Sequence, residues 1–524
     1  MSPVMRPPPD VPILIVGAGP SGLVTALWLT SLGVSIRIID RAKSVGTTSR
    51  AVGVQARTLE FYRQIGLADT IVRSGLVVEG TRLWVRGREA ARVAFGRMGE
   101  GLSPYPYMLM YPQDEHEQLL VDTLATLGVQ VERQVELVAM EQDATQVRAT
   151  LRGRDGVEER CVAEYIVGGD GAHSVVRRAI SADFPGGTYD HLFYVADVKA
   201  EGHPMNGEIN VDLDASELLA VFPLKGEGRA RFIGTVRRDA LERGGELTFA
   251  DVSDRAMRQL SIRVTEVNWF STYHVHHRVA RSFRSGRAFL VGDAAHIHSP
   301  VGGQGMNTGI GDAVNLAWKL ASVVQSRAPE QLLDSYEPER MAFARKLVAT
   351  TDRAFTIATK DGSVARFVRL RLVPLIAPVV SRSATLRRFM FRTISQTSIQ
   401  YRGSALSEGE AGRVRGGDRL PWVRRAGTED NFAPLRSLQW QVHVYGTTSA
   451  ALEEQCMALG LSLHVFPWES AMEHAGLHEH ALYLLRPDGY VALADAAGDP
   501  ARLAAYARGR GIGASPSTRF ARSG

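Results

Sequence analysis

The sequence predicts an α/β protein in three parts: an α/β unit interrupted by a mostly antiparallel β lobe, then a second α/β unit at the C-terminus. Three observations carry this. An all-apolar run at 11–16 leads into a glycine-rich turn and a stretch of helical composition. Short β-prone runs gather between residues 189 and 236. After a charged, glycine-rich connector at 407–417, the pattern again alternates between strands and helices. The 524 residues are 45% hydrophobic and 22% charged, which suits a large-cored globular chain and excludes a disordered or fibrous one. Lys and Arg number 61 against 56 Asp and Glu, a net +5 spread along the chain, which is weak ground for a nucleic-acid partner. Cys161 and Cys456 make neither a disulfide framework nor a Cys-based zinc site, and they fit a cytoplasmic protein.

Taken in order, residues 1–10, with four prolines, read as a flexible leader. Residues 11–36 carry no charge and are long enough to span a bilayer. The turn Gly17-Ala18-Gly19-Pro20-Ser21-Gly22 breaks that run into strand, turn and helix, so neither a membrane span nor an export signal is expected. A helix at 23–32 and a strand at 34–39 ending at Asp40 complete a mononucleotide-binding half. Further helices are expected at 55–65 and 115–127, lobe strands at 217–222 and 231–236, and a buried strand at 287–291. Ile310, Ala313, Val314, Ala317, Leu320 and Val324 then recur at helical spacing, and helical character continues to about residue 400. The expected boundaries are 1–185 and 281–406 for the split unit, 186–280 for the lobe and 407–524 for the last part.

The chemistry starts at Gly17-x-Gly19-x-x-Gly22, after a strand and opening a helix. Glycines there allow a tight turn and close approach to a pyrophosphate, which the helix N-terminus then binds through unpaired N–H groups. Asp40, at the end of the second strand, is placed for the hydroxyls of a ribose. This motif alone leaves FAD against NAD open. A second turn, Gly292-Asp293-Ala294-Ala295-His296, follows a strand and leads through Pro300 to Gly302-Gly303-Gln304-Gly305-Met306-Asn307. Its carboxylate suits a polyol hydroxyl, and amides around 305–307 suit a group that becomes negative, as a reduced flavin does. A third junction, Gly168-Gly-Asp170-Gly171-Ala-His-Ser, would close the cofactor groove.

With GAGPSG at 17–22, GGDGAHSVVR at 168–177 and GDAAHIHSPVGGQGMNTGIGDAVNLAWKL at 292–320, the sequence resembles the group A flavoprotein monooxygenases, the para-hydroxybenzoate hydroxylase-like aromatic hydroxylases. The resemblance extends over most of 11–345 and is nearest to the larger three-domain members. It implies a Rossmann-like FAD/NAD(P)-binding fold, an inserted β-sheet substrate lobe and, from Leu485-Arg-Pro-Asp-Gly-Tyr490, a thioredoxin-like tail. It further implies that Asp40 and Arg41 hold the adenosine ribose, and that Arg50 lies near the pyrophosphate or the mobile flavin edge. Gln113 would contact the ribityl chain, Asp170 both cofactor grooves, and Asp293 the ribityl or pyrophosphate region. Pro300 would line the isoalloxazine, with the Met306 and Asn307 amides facing the flavin pyrimidine. NADPH or NADH would bind transiently, since only one GxGxxG occurs. The implied reaction reduces FAD, adds dioxygen at C4a to form a hydroperoxide, and passes one oxygen atom to an aromatic ring. No general base is assigned; Pro300 and Arg50 are the side chains expected nearest the flavin. Rival readings are an FAD-dependent hydride-transfer reductase or dehydrogenase and a non-catalytic flavin-binding sensor.

Plainer roles stand beside these. Arg41 and Arg50 also read as surface residues. His274, His276 and His277 on a strand suggest local hydrogen bonding more than a metal, and His296 a structural bond more than a proton relay. Residues 362–407 hold no acidic residue and carry eight arginines between Arg366 and Arg402; packing under the tail with solvated arginines is preferred over a membrane or partner surface. Cys456 has no Cys-x-x-Cys partner, so the tail is expected to be structural or to form a homodimer, without dithiol chemistry.

Overall fold

The computed structural model describes residues 10–513 apart from 47–50, 96–97, 214–217, 237–246, 253, 300–302, 360–382, 426 and 428. At 190–191 and 352–359 it describes the backbone alone. The elements that frame the site are β1 (Val11–Val16), α1 (Pro20–Ser31), β2 (Ile36–Asp40), α2 (Ala56–Gln64), α3 (Gln113–Thr126), β3 (Glu158–Gly168), β4 (Ala288–Leu290), α4 (Gly305–Val324) and α5 (Tyr336–Thr359). Strands β4, β3, β1 and β2 lie side by side in that order and pair in parallel, with Val16 opposite Gly168 and Ile39. Helices cover the sheet, which is why β1 is apolar at every position and nearly all buried. Helix α1 begins at Pro20, three residues before its apolar run. Proline's fixed φ suits a first helical position, and its missing N–H would have had no partner there.

A second sheet of eight strands stands against this unit. Its order is 296–297, 263–279, 186–201, 229–235, 219–223, 209–212, 80–85 and 88–94. Every pairing is antiparallel except 209–212 with 80–85. The hairpin 80–94 thus leaves the first segment, where the sequence placed it, and extends the lobe. The tie is chemical: buried Glu208 accepts from both Arg82 and Arg92, on the hairpin's two strands. One face of the lobe buries Tyr194, Ala196, Val198 and Phe232 against Met257 of the short helix Arg255–Gln259.

Helical structure after α4 is not continuous to residue 400. Helix α5 is followed within the described residues by Ala384–Ile394, and 395–400 are non-helical. Arg366, Phe367, Leu370 and Leu372 of the arginine-rich stretch lie outside the described residues. The last part is a six-stranded sheet ordered 414–415, 408–411, 491–495, 482–485, 441–445, 462–466, with helices Ala450–Leu459, Ser470–Ala475 and Pro500–Arg510. Cys456 is buried in this part and Cys161 in β3; neither is bonded to another cysteine. Among the described residues, no helix is long and apolar enough to cross a membrane.

Candidate functional site

Two glycine turns 270 residues apart meet at one side chain. Ser21 Oγ lies where a β-carbon on Gly292 or on Gly309 would sit, 2.3 Å from either ideal position. Only glycine at both positions lets the start of α1 settle against the turn after β4 and the second turn of α4. Gly292 also has φ +59°, a left-handed backbone that favours glycine. The turn after β3 closes the third side. Gly169 donates to the Val16 carbonyl at 2.8 Å, and a β-carbon on Gly17 would lie 2.4 Å from the Gly169 carbonyl oxygen.

Around this junction stand the predicted residues. Asp40 accepts from the Ala18 amide at 2.6 Å and the Ala42 amide at 2.7 Å, which fixes its carboxylate beside the Gly17–Gly19 turn; Arg41 next to it is exposed. Asp170 accepts from the Val175 and Val176 amides through Oδ2, while its Oδ1 is buried with no hydrogen-bond partner. Asp293 projects, exposed, from the tight turn Gly292–Ala294. Gln113 opens α3 and accepts from the Ala51 amide at 3.2 Å. In α4 the first intrahelical bond runs from the Thr308 amide to Gln304, so the amides of Gly305, Met306 and Asn307 have no acceptor within the helix. Arg50 and Pro300 lie outside the described residues.

The FAD binding domain family matches residues 10–351. The chain is 33% identical to a 6-methylpretetramide 4-monooxygenase of Streptomyces rimosus, over 93% of this chain and 91% of that one. It is 31% identical to the pentachlorophenol 4-monooxygenase of Sphingobium chlorophenolicum, over 85% and 82%. Among solved structures, the OxyS anhydrotetracycline hydroxylase from Streptomyces rimosus superposes with a TM-score of 0.75 at 26% identity, covering 95% of this chain and 99% of that one. The chain belongs to the FAD binding domain family. It is an FAD-dependent monooxygenase.

The residues present fit FAD on the structure's own terms. Beside the crowded Gly17 and Gly22, Gly19 has no protein atom within 4 Å of an added β-carbon, an open approach at the N-terminus of α1 where a pyrophosphate can come close. The orphaned Asp170 oxygen is a buried acceptor on a residue whose Cα would lie 2.8 Å from a β-carbon on Gly17. The three first-turn amides of α4 form a second concentration of donors.

Several supports were not singled out in the sequence. Asp312, seven residues into α4, is fully buried; it accepts from the Gly292 amide at 3.0 Å, Arg340 Nε at 2.7 Å and, at 2.7 Å, faces His296 Nε2. Burial alone would raise its carboxyl, yet Arg340 and His296 hold it below the ordinary carboxylate range. His296 therefore has the structural bond expected of it. The signal was available: an aspartate amid an apolar helical stripe must be paired. His298, two residues on, donates from Nδ1 to its neighbour's carbonyl and presses Nε2, without a partner, toward Gly305; burial pushes it down to about 4. Asn307 spends its side chain on the chain itself. Its Oδ1 accepts from the Gln55 amide and Thr58, and its Nδ2 donates to the Gly53 and Gly303 carbonyls, all at 2.8–2.9 Å. From the lobe, fully buried Arg231 grips Asp197 with two bonds and reaches the Ala51 carbonyl at 2.7 Å. Of the strand histidines, His276 Nδ1 lies 2.7 Å from Thr188 Oγ1, His277 packs on Tyr189 and His274 is exposed.

Proposed function

We propose that this monooxygenase hydroxylates an aromatic small molecule, phenolic or polycyclic, with NADPH or NADH as reductant and dioxygen as the oxygen source. The observation that carries the reading is the meeting of the 17–22 and 292–309 segments at Ser21, which brings the N-terminal turns of α1 and α4 together. The names of the relatives, which include a pentachlorophenol and a pretetramide monooxygenase, support an aromatic substrate.

Bound FAD supplies the redox chemistry and the activation of oxygen. The chain's part is to bind, orient and exclude water. The Ser21 and Gly22 amides hold the pyrophosphate from α1, with Asp40 and Arg41 at the adenosine ribose. Asp293 and Gln113 hold the ribityl chain, Asp170 contributes from the third turn, and Arg50 and Pro300 lie along the flavin and its substrate. The Gly305, Met306 and Asn307 amides stabilise negative charge on the pyrimidine edge, preset before that charge appears. Val52, Val78, Met110, Ile209 and Leu224 pack into a buried apolar cluster where the lobe meets the flavin unit, which would keep water from a substrate held beside it.

The boundaries 1–185 and 281–406 are read as the flavin unit and 186–280 as the substrate lobe, with the hairpin 80–94 added to it. The C-terminal order strand–helix–strand–helix–strand–strand–helix over 441–510 supports a thioredoxin-like unit. A panel of phenols and polycyclic aromatics, scored by acceleration of NAD(P)H oxidation and by product mass, tests the proposal. One added oxygen in a product is expected. NAD(P)H consumption that no aromatic accelerates, with no oxygenated product, overturns it.

A further inference from the structure

We infer that the C-terminal unit, residues 408–512, positions the flavin pocket by holding helix α2, so that Arg57, Glu60, Arg63 and Gln64 are positioning residues for the α4 turn that contacts the cofactor. The inference rests on the proposed placement of FAD against the Gly305–Asn307 amides.

Those four residues recur at helical spacing on one face of α2. Each reaches the C-terminal unit through a polar contact. Arg57 Nη2 donates to the Asp488 carbonyl at 2.7 Å, and Glu60 accepts from Arg419 at 2.6 and 2.8 Å. Arg63 makes two bonds to Asp430, at 2.7 and 2.8 Å, and Gln64 donates to the Leu435 and Pro487 carbonyls. The start of the same helix grips the pocket: the Gln55 amide and Thr58 Oγ1 both donate to Asn307 Oδ1. Asn307 Nδ2 in turn holds the Gly303 carbonyl, at a residue with φ +61°. Helix α2 has nine residues and is therefore a stiff rod of about 13 Å, clamped by the C-terminal unit along one face and by the cofactor turn at its first residues. A parallel tie passes through Gln396, whose Nε2 donates to Thr308 Oγ1 at 2.9 Å, next to Ser395, whose carbonyl accepts from the Arg57 amide.

The kind of contact matters. An apolar interface resists separation but tolerates sliding, whereas directional and buried polar bonds fix one register and are costly when broken singly. Arg57 and Glu60 are only 3% and 2% exposed, so a shift of the C-terminal unit would strand charge unless α2 moved with it. The geometry of the first turn of α4 is thereby coupled to a unit that contributes no residue to the predicted cofactor contacts.

The Arg63–Asp430 pair, half-buried and at the far end of α2, is the place to test this in the full-length protein. For Asp430→Asn, and for Gln64→Ala, the dissociation constant for FAD, read by flavin fluorescence, is expected to rise about fivefold or more, the low end of ordinary coupling between sites. The visible band and reduction potential of bound FAD should move as well, at a temperature where circular dichroism shows the variants folded. The conservative Asp430→Glu, which keeps a carboxylate for Arg63, the Trp422 indole and the Phe432 amide, should leave all three nearer wild type than Asp430→Asn does. Folded variants with wild-type affinity, band and potential would overturn the inference and leave the C-terminal unit a stabilising role only. If the Asp430 variants do not fold, Gln64→Ala decides alone. Wild-type protein that takes up no FAD would instead defeat the cofactor placement itself.

Discussion

A β-carbon added at Gly17 would lie 2.4 Å from the Gly169 carbonyl oxygen, and one at Gly22 would lie 1.9 Å from that of Gly17, whereas at Gly19 it would meet no protein atom within 4 Å. The fold requires the first two glycines, and the ligand requires the third. Gly17, with φ +99°, adds backbone strain to the collision, so Gly17→Ala should destabilise the FAD-free protein by roughly 2 kcal/mol or more. Gly19→Val should leave the FAD-free melting temperature near wild type and lower FAD affinity at least about tenfold, roughly 1.4 kcal/mol. Differential scanning calorimetry and flavin titration on the two variants separate the cases; a Gly19→Val protein that binds FAD normally would remove the cradle. Asp293, exposed on its turn, gives the matching test from the other motif. Asp293→Ala should lower the FAD content of purified protein while circular dichroism shows it largely folded. The pattern GxGxxG was plain in the sequence, but the division of labour among its glycines depends on Gly169, which approaches only in the fold.

At the scale of elements, β1, α1 and α4 were legible because each is buried almost all round, and burial leaves a strong apolar signal. The hairpin 80–94 alternates well enough to be a strand pair, but its choice of sheet is decided by Arg82 and Arg92 meeting Glu208, more than a hundred residues away. The same limit hid Asp312. Its partners come from the turn at 292, the short strand at 296 and helix α5, and together they lock the second glycine turn onto α4. Asp312→Asn should leave Arg340 buried with its charge uncompensated, and urea unfolding should report a loss of about 3–5 kcal/mol. Because Asp312 is held below the ordinary carboxylate range, its contribution is complete above the unfolded-state value near 4 and fades as pH falls through the folded-state value. A variant as stable as wild type would mean that the turn is held by packing alone.

For the whole molecule, the sequence marked the C-terminal unit as separate yet carried no sign of how it docks. Arg486 lies fully buried between Asp488 and Glu339, 147 residues away in the chain, and Glu339 also takes Lys319 of α4 at 2.9 Å. No spacing rule reaches over such distances. Interior groups scattered in this way nevertheless have a collective signature in solution. His116 is fully buried against Tyr62 and Tyr111 with neither ring nitrogen bonded, and burial pushes it down to about 4, as it does His298. Between pH 6.5 and about 4 the unfolded chain binds a proton at each that the folded chain refuses, so stability is present above the unfolded value and falls as the solution is acidified. Each histidine should cost about 2 kcal/mol between pH 7 and pH 5, from roughly 1.4 kcal/mol per unit below 6.5. Replacing His116 by Phe keeps an aromatic ring in the apolar slot and removes its titration. The pH dependence of urea unfolding should then flatten by about that amount, with the variant gaining on wild type as pH drops. Parallel curves for the two proteins between pH 7 and pH 5 would show that His116 is charged, or reaches water, in the folded chain.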